Sequence, residues 1–382
     1  MPAAAAKLPP ERPTPANKVR VMVVDDSAVI RGLLQRIMAT EPAIEVVASA
    51  SNGQSAINML RTNDIQVVVL DIEMPIMDGL SALPQLLEID PDLKVIVAST
   101  LTQRNAEISL KAMELGATDY LPKPTSPREI GADGSFQREL LEKIRSLGAR
   151  PRLMPRRVPV PAGAAKPALR APAPPTVKRP VVLRKANPVV PAVLAIGSST
   201  GGPQALFTVL RSLPKPLPVP VVITQHMPRL FTSILAQHIT RNCSQPCAEG
   251  VDGETLQKGR IYLAPGDRHM LIEMKAGKPT IRLSDGPAEN FCRPSVDPMF
   301  RSLCAAFGSH VLAVILTGMG SDGLNGGKDL IAAGGNLVAQ DEASSVVWGM
   351  PGAVATNGLC SAVLPINEIA PHISNLLPKV SP

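Results

Sequence analysis

Short aliphatic runs recur through this chain, and most of them end in a residue that can do chemistry. Val19–Val24 runs into Asp25-Asp26, Val67–Leu70 into Asp71, Val95–Ala98 into Ser99-Thr100, and Asp119–Leu121 into Pro122-Lys123-Pro124. Helical patterns fill the gaps. Ser27 stands as an N-cap before Val29, Ile30, Leu33, Leu34 and Ile37, and an apolar face at that spacing predicts a helix. Gly53–Arg61, Leu80–Ile89 and Asn105–Leu115 follow suit, and Ile44–Ala50 reads as a further strand. Five alternating strand and helix units predict a doubly wound parallel sheet, because strands buried on both faces need helices over each.

The pattern stops after Phe136–Leu147, an amphipathic helix that closes the unit or opens a linker. Pro151 to Pro191 holds eleven prolines, and Arg150 to Ala192 holds ten Lys and Arg with no Asp or Glu. Such a stretch is extended and semi-rigid rather than packed. It also relocates the charge. The chain is +7 overall, so the segments outside this stretch are net acidic, and the basic balance does not read as a nucleic-acid surface. The expected division is therefore a disordered tail over 1–17, an α/β domain over 18–140, a linker over 141–191 and a second α/β domain over 192–382. In that last part, strand-like runs at Val193–Ile196, Val219–Thr224, Gly259–Ala264, Val311–Leu316, Asn336–Ala339 and Leu359–Val363 alternate with helical patterns. Met270–Leu283, with Gly277 between two alternating runs, predicts a β-hairpin.

Five scattered cysteines make no disulfide framework, and Cys243 and Cys247 near His238 lack a second ligand pair at zinc-finger spacing. The first residues carry no apolar segment of the signal-peptide kind, and no run is long enough to span a membrane. A cytoplasmic, soluble monomer without membrane insertion is expected.

In an open parallel sheet ligands bind beyond the carboxyl ends of the strands. Asp25, Asp26, Asp71, Thr100 and Lys123 all fall there. Three carboxylates converging on one point need a cation, and a hard oxygen set suits Mg²⁺. Lys123 adds fixed positive charge and Thr100 a hydroxyl, so the pocket can hold a phosphoryl group and stabilise its transfer to a carboxylate. The text Val-Val-Asp25-Asp26-Ser, Leu-Asp71-Ile-Glu-Met-Pro-Ile-Met-Asp-Gly, Ala-Ser-Thr100 and Leu-Pro-Lys123-Pro resembles the response-regulator receiver domain. The resemblance implies that Asp71 accepts the phosphoryl group, that Asp25 and Asp26 hold Mg²⁺ with it, and that Thr100 and Lys123 sense the phosphoryl oxygens. Tyr120 falls on that family's aromatic switch position, and a cis bond before Pro124 is implied.

The second domain opens on an apolar run, Val193–Ile196, ending in the G-x-S-x-G of Gly197-Ser198-Ser199-Thr200-Gly201, with Pro203 suited to a first helical turn. Strand, glycine turn and helix are the setting of an exposed nucleophilic serine. Of the five histidines, His226 alone follows a strand at the ligand-facing edge, where it can serve as base. Asp322 lies in a glycine-rich turn after Val311–Leu316 and can orient that base. In the same turn the Met319 N–H is a candidate oxyanion donor. The chain order Ser, His, Asp differs from that of α/β-hydrolases.

Ile-Gly-Ser-Ser199-Thr-Gly-Gly, Gln-His226-Met-Pro, Tyr-Leu-Ala-Pro-Gly-Asp-Arg-His269, Arg-Pro-Ser-Val-Asp297, Thr-Gly-Met-Gly-Ser-Asp322-Gly and Ser-Val-Val-Trp348-Gly-Met-Pro-Gly resemble the chemotaxis protein-glutamate methylesterase family. The resemblance implies Ser199 as nucleophile, His226 as base and Asp322 as its partner, with no cofactor for the esterase. It implies methylated chemoreceptors as substrates, deamidation of receptor glutamines as a second activity, and a chemotaxis histidine kinase as phosphoryl donor. Phosphorylation of Asp71 would uncover the active site. Two other readings stay open: a phosphorylation-gated regulator without catalysis, reaching nucleic acid through the linker, and an esterase acting on another substrate.

Overall fold

A computed structural model of the protein describes residues 18–100, 102–124, 135–148 and 180–379. The tail expected over 1–17 and most of the proline-rich linker lie outside them.

The first unit is a five-stranded sheet in the order β2-β1-β3-β4-β5. Its strands are β1 (Val19–Val24), β2 (Ile44–Ala50), β3 (Val67–Asp71), β4 (Lys94–Ser99) and β5 (Asp119–Pro122). β1 pairs in parallel with β2 and β3, and β3 with β4. Helices α1 (Ala28–Ala39), α2 (Gly53–Thr62), α3 (Gly79–Ile89) and α4 (Gln103–Glu114) alternate with them. Each starts on a side-chain cap, namely Ser27, Asn52, Asp78 and Thr102, which supplies an acceptor to an otherwise unpaired helix amide. The Asp of the Met-Asp-Gly stretch is thus a cap. The β3 side chains are all buried, and each fully buried aliphatic contributes about 1.5–3 kcal/mol.

Helix α5 (Ser135–Gly148) runs past residue 140, where the linker was expected to begin. It packs on β1 and α1 through buried Leu140 and Ile144, with Arg145 paired to Glu41 at 3.2 Å. Its apolar face needs burial, so it closes the sheet. The far end of the expected linker is shorter too. Residues 180–191 lie on the second unit, where Asn187 exchanges hydrogen bonds with Asn336 at 2.8 Å each way and Arg184 N–H donates to the Cys360 carbonyl. Asparagine satisfies neighbouring backbone as glycine and proline cannot, so the chain docks before its first strand.

The second unit holds a seven-stranded sheet, order β14-β13-β12-β6-β7-β9-β8, in which every pairing is parallel. The strands that matter for function are β6 (Val193–Ser198), β7 (Val221–Gln225) and β12 (Val311–Ile315). The outer ones are β8 (Cys247–Glu249), β9 (Ile261–Leu263), β13 (Asn336–Gln340) and β14 (Ala362–Leu364). Strands β10 (His269–Lys275) and β11 (Lys278–Ser284) form the separate antiparallel hairpin that Gly277 foretells. β6 is central. The chain leaves it toward β7 on one side and returns to β12 on the other, so the order reverses at β6, the place where such sheets open a crevice. Helices α6 (Gly202–Arg211), α7 (Arg229–Cys243), α8 (Val296–Phe307), α9 (Leu324–Ala332), α10 (Met350–Thr356) and α11 (Ile366–Leu376) complete the unit. Among the described residues the cis bonds are Lys215–Pro216 and Arg293–Pro294; the bond before Pro124 is not one of them. No helix of the described residues is long and apolar enough to cross a membrane.

Candidate active site

Adjacent strands bring the second-domain residues together. Ser198 on β6 is level with Gln225 on β7, and Gly197 with Ile315 on β12. Ser199, His226 and the loop Thr317–Gly323 therefore leave three neighbouring strands at one edge. The turn after Ser199 needs Gly201, whose φ is 74°, a left-handed value that disfavours other residues. Gly318 is needed for a different reason. A side chain there would meet Ser199 Cβ at 2.9 Å and run into the Met350 sulfur, so glycine lets the loop lie against the serine. That loop is braced by the Ser199 N–H, which donates to the Thr317 carbonyl, and by the Gly349 N–H, which donates to the Gly318 carbonyl. The Trp348 indole N–H in turn donates to the Gln340 carbonyl.

His226 Nε2 lies 2.7 Å from Asp322 Oδ2. Asp322 is 1% exposed, and its charge is met from all sides. Oδ1 accepts from Asn290 Nδ2, Ser295 Oγ, the Asp297 N–H and the Gly323 N–H. Oδ2 accepts from the Val296 N–H at 2.6 Å as well as from His226. Two of these amides begin α8, where the unpaired helix N–H groups favour an anion. Burial opposes that charge, but His226, the Val296 amide and Ser295 outweigh it and hold the carboxyl below its usual value. Burial likewise opposes a charged His226. Cys292 and Asp322 overcome it and push the imidazole above the ordinary histidine value.

Ser199 is half-buried, and among the described residues no hydrogen bond joins its hydroxyl to His226. The ring's other nitrogen, Nδ1, faces Cys292 Sγ at 3.4 Å. The Met319 N–H also makes no hydrogen bond among the described residues, so it is an uncommitted donor one residue from Gly318. An imidazole backed by a buried carboxylate, beside a hydroxyl and a free amide, can move a proton while an oxygen attacks a carbonyl.

In the first unit, Asp25, Asp26 and Asp71 offer carboxylate oxygens within 4.8 Å of one another. Asp25 and Asp71 are buried and Asp26 is exposed, so one side of the cluster faces out. Asp25 accepts from the Ser27 N–H and Asp71 from the Ile72 N–H, which aims both carboxylates. This all-oxygen donor set fits a hard divalent cation with room for water and phosphate. Thr100 follows β4 with its hydroxyl accepting from Asn105 Nδ2 at 2.7 Å. The Lys123 N–H donates to the Ser99 carbonyl, which joins the ends of β4 and β5. Tyr120 is buried on β5.

Residues 194–373 match the CheB methylesterase family and residues 21–133 the response regulator receiver domain. The protein-glutamate methylesterase/protein-glutamine glutaminase 1 of Paramagnetospirillum magneticum is 55% identical over 377 residues, 96% of this chain and 98% of its own. This chain belongs to the CheB methylesterase family. A relative with the same double name from Azospirillum brasilense is 56% identical over 94% of this chain and 92% of its own. The catalytic domain of a Thermotoga maritima CheB methylesterase aligns with 50% of this chain and 100% of its own at 38% identity, with a TM-score of 0.48.

Further residues support the site, some inside the quoted motifs and some outside them. Asn290 bridges the two acids, donating to both Asp297 Oδ2 and Asp322 Oδ1. Asp297 Oδ1 accepts the Gly323 and Gly326 amides and so clamps the loop that follows Asp322; burial, with Asp322 nearby, raises its carboxyl. His269, on the hairpin, donates from Nε2 to the Pro287 carbonyl and accepts the Ser295 N–H at Nδ1. Gln225 donates to the Ser199 carbonyl and accepts from Ser198 Oγ at 2.7 Å. Asp297, His269 and Gln225 fall inside the motifs Arg-Pro-Ser-Val-Asp297, Tyr-Leu-Ala-Pro-Gly-Asp-Arg-His269 and Gln-His226-Met-Pro; Asn290 and Cys292 had no signal.

Proposed function

We propose that this chain is a phosphorylation-controlled hydrolase that removes methyl esters from glutamate side chains of chemoreceptors and deamidates receptor glutamines. The observation that carries the reading is the His226–Asp322 pair beside Ser199 at the switch point of the sheet. Ser199 Oγ attacks the side-chain carbonyl carbon, and its proton passes to His226 Nδ1, the nitrogen not held by Asp322. The new oxyanion is stabilised by the Met319 N–H. His226 then protonates the leaving methoxide, which departs as methanol, or the leaving amide nitrogen, which departs as ammonia. Water deprotonated by His226 attacks the acyl-serine, and the carboxylate is released with Ser199 reprotonated. Asp322 stays ionised and supports the imidazolium, as its many donors favour.

In the receiver domain Asp71 accepts the phosphoryl group from a histidine kinase. Asp25, Asp26 and Asp71 would hold Mg²⁺, which neutralises charge on the phosphoryl oxygens when bound. Thr100, Lys123 and Tyr120 then read the phosphorylated state. The proposed domains are a receiver and a methylesterase, joined by the basic proline-rich linker, in a cytoplasmic monomer.

The test is methanol release from methylated receptor with and without acetyl phosphate. Activity that rises with acetyl phosphate and is absent in Ser199→Ala supports the reading. Release by Ser199→Ala at the wild-type rate would overturn the catalytic assignment.

A further inference from the structure

We propose that Cys292 is a positioning residue of the esterase: its thiol holds His226 Nδ1 in the resting site and yields that nitrogen to Ser199 when an ester carbonyl enters. The inference rests on the Ser199, His226 and Asp322 reading above. The ring has two nitrogens. Asp322 holds Nε2 at 2.7 Å, so Nδ1 must accept the serine proton, and it is Nδ1 that Cys292 Sγ meets at 3.4 Å. In the neutral ring, Nε2–H donates to Asp322 and Nδ1 accepts from the Cys292 S–H. Substrate entry exchanges the S–H···N contact for the O–H···N contact of Ser199. No bond to sulfur forms or breaks, and the thiol proton stays on sulfur.

The segment carrying Cys292 is fixed in place. Glu289 and Cys292 exchange backbone hydrogen bonds at 3.2 and 2.9 Å. Arg293 donates to the Asp285 and Gly286 carbonyls, and Asn290 reaches both Asp297 and Asp322. Asn290 and Phe291 hold left-handed φ values of 53° and 63°, a strain that persists only where surroundings demand it. The strained pair turns Phe291 outward, 91% exposed, and leaves the thiol against the ring. The other cysteines differ. Burial pushes Cys247 and Cys360 up to about 12 and Cys304 up to about 11, and raises Cys243; none of them bonds a histidine among the described residues. The groups bearing on His226 are Cys292, from the segment before α8, and Asp322, from the loop after β12. Asp297 bears on Asp322 in turn.

The experiment uses the full chain with Mg²⁺ and acetyl phosphate. Cys292→Ala is expected to lower kcat on the order of tenfold with little change in KM, because the ring loses its alignment. The thiol lies against Nδ1, so its removal moves the acidic limb of the pH profile. Cys292→Ser, which keeps a donor, restores most of kcat. Wild-type kcat and an unmoved limb in Cys292→Ala would overturn the proposal. A second readout needs no turnover: the rate of Cys292 alkylation by iodoacetamide, mapped by peptide mass, in wild type and His226→Gln. A roughly tenfold change at Cys292 with none at Cys304 is expected if the thiol and ring are coupled. Equal rates overturn the pairing, whereas a coupled thiol in a protein inactive on methyl esters overturns only the esterase reading.

Discussion

The two carboxylate sites of this chain are built on opposite principles. Asp322 is closed in, with donors on both oxygens and a helix N-terminus behind it. The cluster of Asp25, Asp26 and Asp71 gathers like charges and leaves Asp26 exposed. A site whose charge is compensated by the fold is ready at all times. One that gathers three carboxylates at an open face can respond to an outside cation and phosphoryl group. The first suits chemistry and the second control.

The comparison breaks most sharply at Ser199. Ser199→Ala should lower turnover by roughly 10⁴–10⁶-fold while leaving the thermal midpoint near wild type, since the serine hydroxyl makes no hydrogen bond to His226 in the resting site. A large fall in melting temperature would show that the serine is structural instead. Asp322→Asn comes next. It should cost on the order of 10²–10⁴-fold in kcat and also destabilise the domain by about 1–3 kcal/mol, because several buried donors lose their anion. Denaturant melts beside the kinetics check this, and a variant with full activity would remove Asp322 from the mechanism.

The acidic cluster should behave in the opposite way. Chelating Mg²⁺ with EDTA is expected to abolish the response to acetyl phosphate and to leave basal methanol release within about twofold, since the esterase chemistry needs only side chains and amides. Equal loss of both would place a metal in the hydrolase.

The pH dependence sharpens the contrast further. In the proposed mechanism His226 must be neutral to accept the serine proton, and its pKa is raised by Cys292 and Asp322 against the cost of burial. The rate constant kcat/KM should therefore rise with pH through a midpoint above the ordinary histidine value of about 6.5. A midpoint below that value would contradict the compensated site. The smallest effect is expected at Trp348. Trp348→Phe removes one hydrogen bond to the Gln340 carbonyl and should cost about 1 kcal/mol of stability, with a modest loss of kcat because the loop bearing Gly318 loses a brace.

How legible each site was in the sequence follows from its construction. Every residue of the receiver pocket stands at or just past a strand end, and strand ends are what apolar periodicity locates best. Ser199 and His226 were readable for the same reason. Asp322 was readable through its glycine-rich turn. Part of the support behind them was not. Asn290 and Cys292 lie in irregular chain between the β10–β11 hairpin and α8, which has no periodicity. Of the two readings of Phe136–Leu147, the structure has the one in which the helix, α5, closes the first sheet, and Asn187 docks residues that proline content had placed in the linker.

The central claim is that a carboxylate in one domain governs a serine in the other. The most direct measurement is the ratio of methanol release with and without acetyl phosphate and Mg²⁺, taken on the full-length wild type and on Asp71→Ala, with Ser199→Ala as the blank. The account predicts a ratio well above one in the wild type, a ratio of one in Asp71→Ala, and no release above background in the blank. A wild-type ratio of one, or full stimulation of Asp71→Ala, would contradict it.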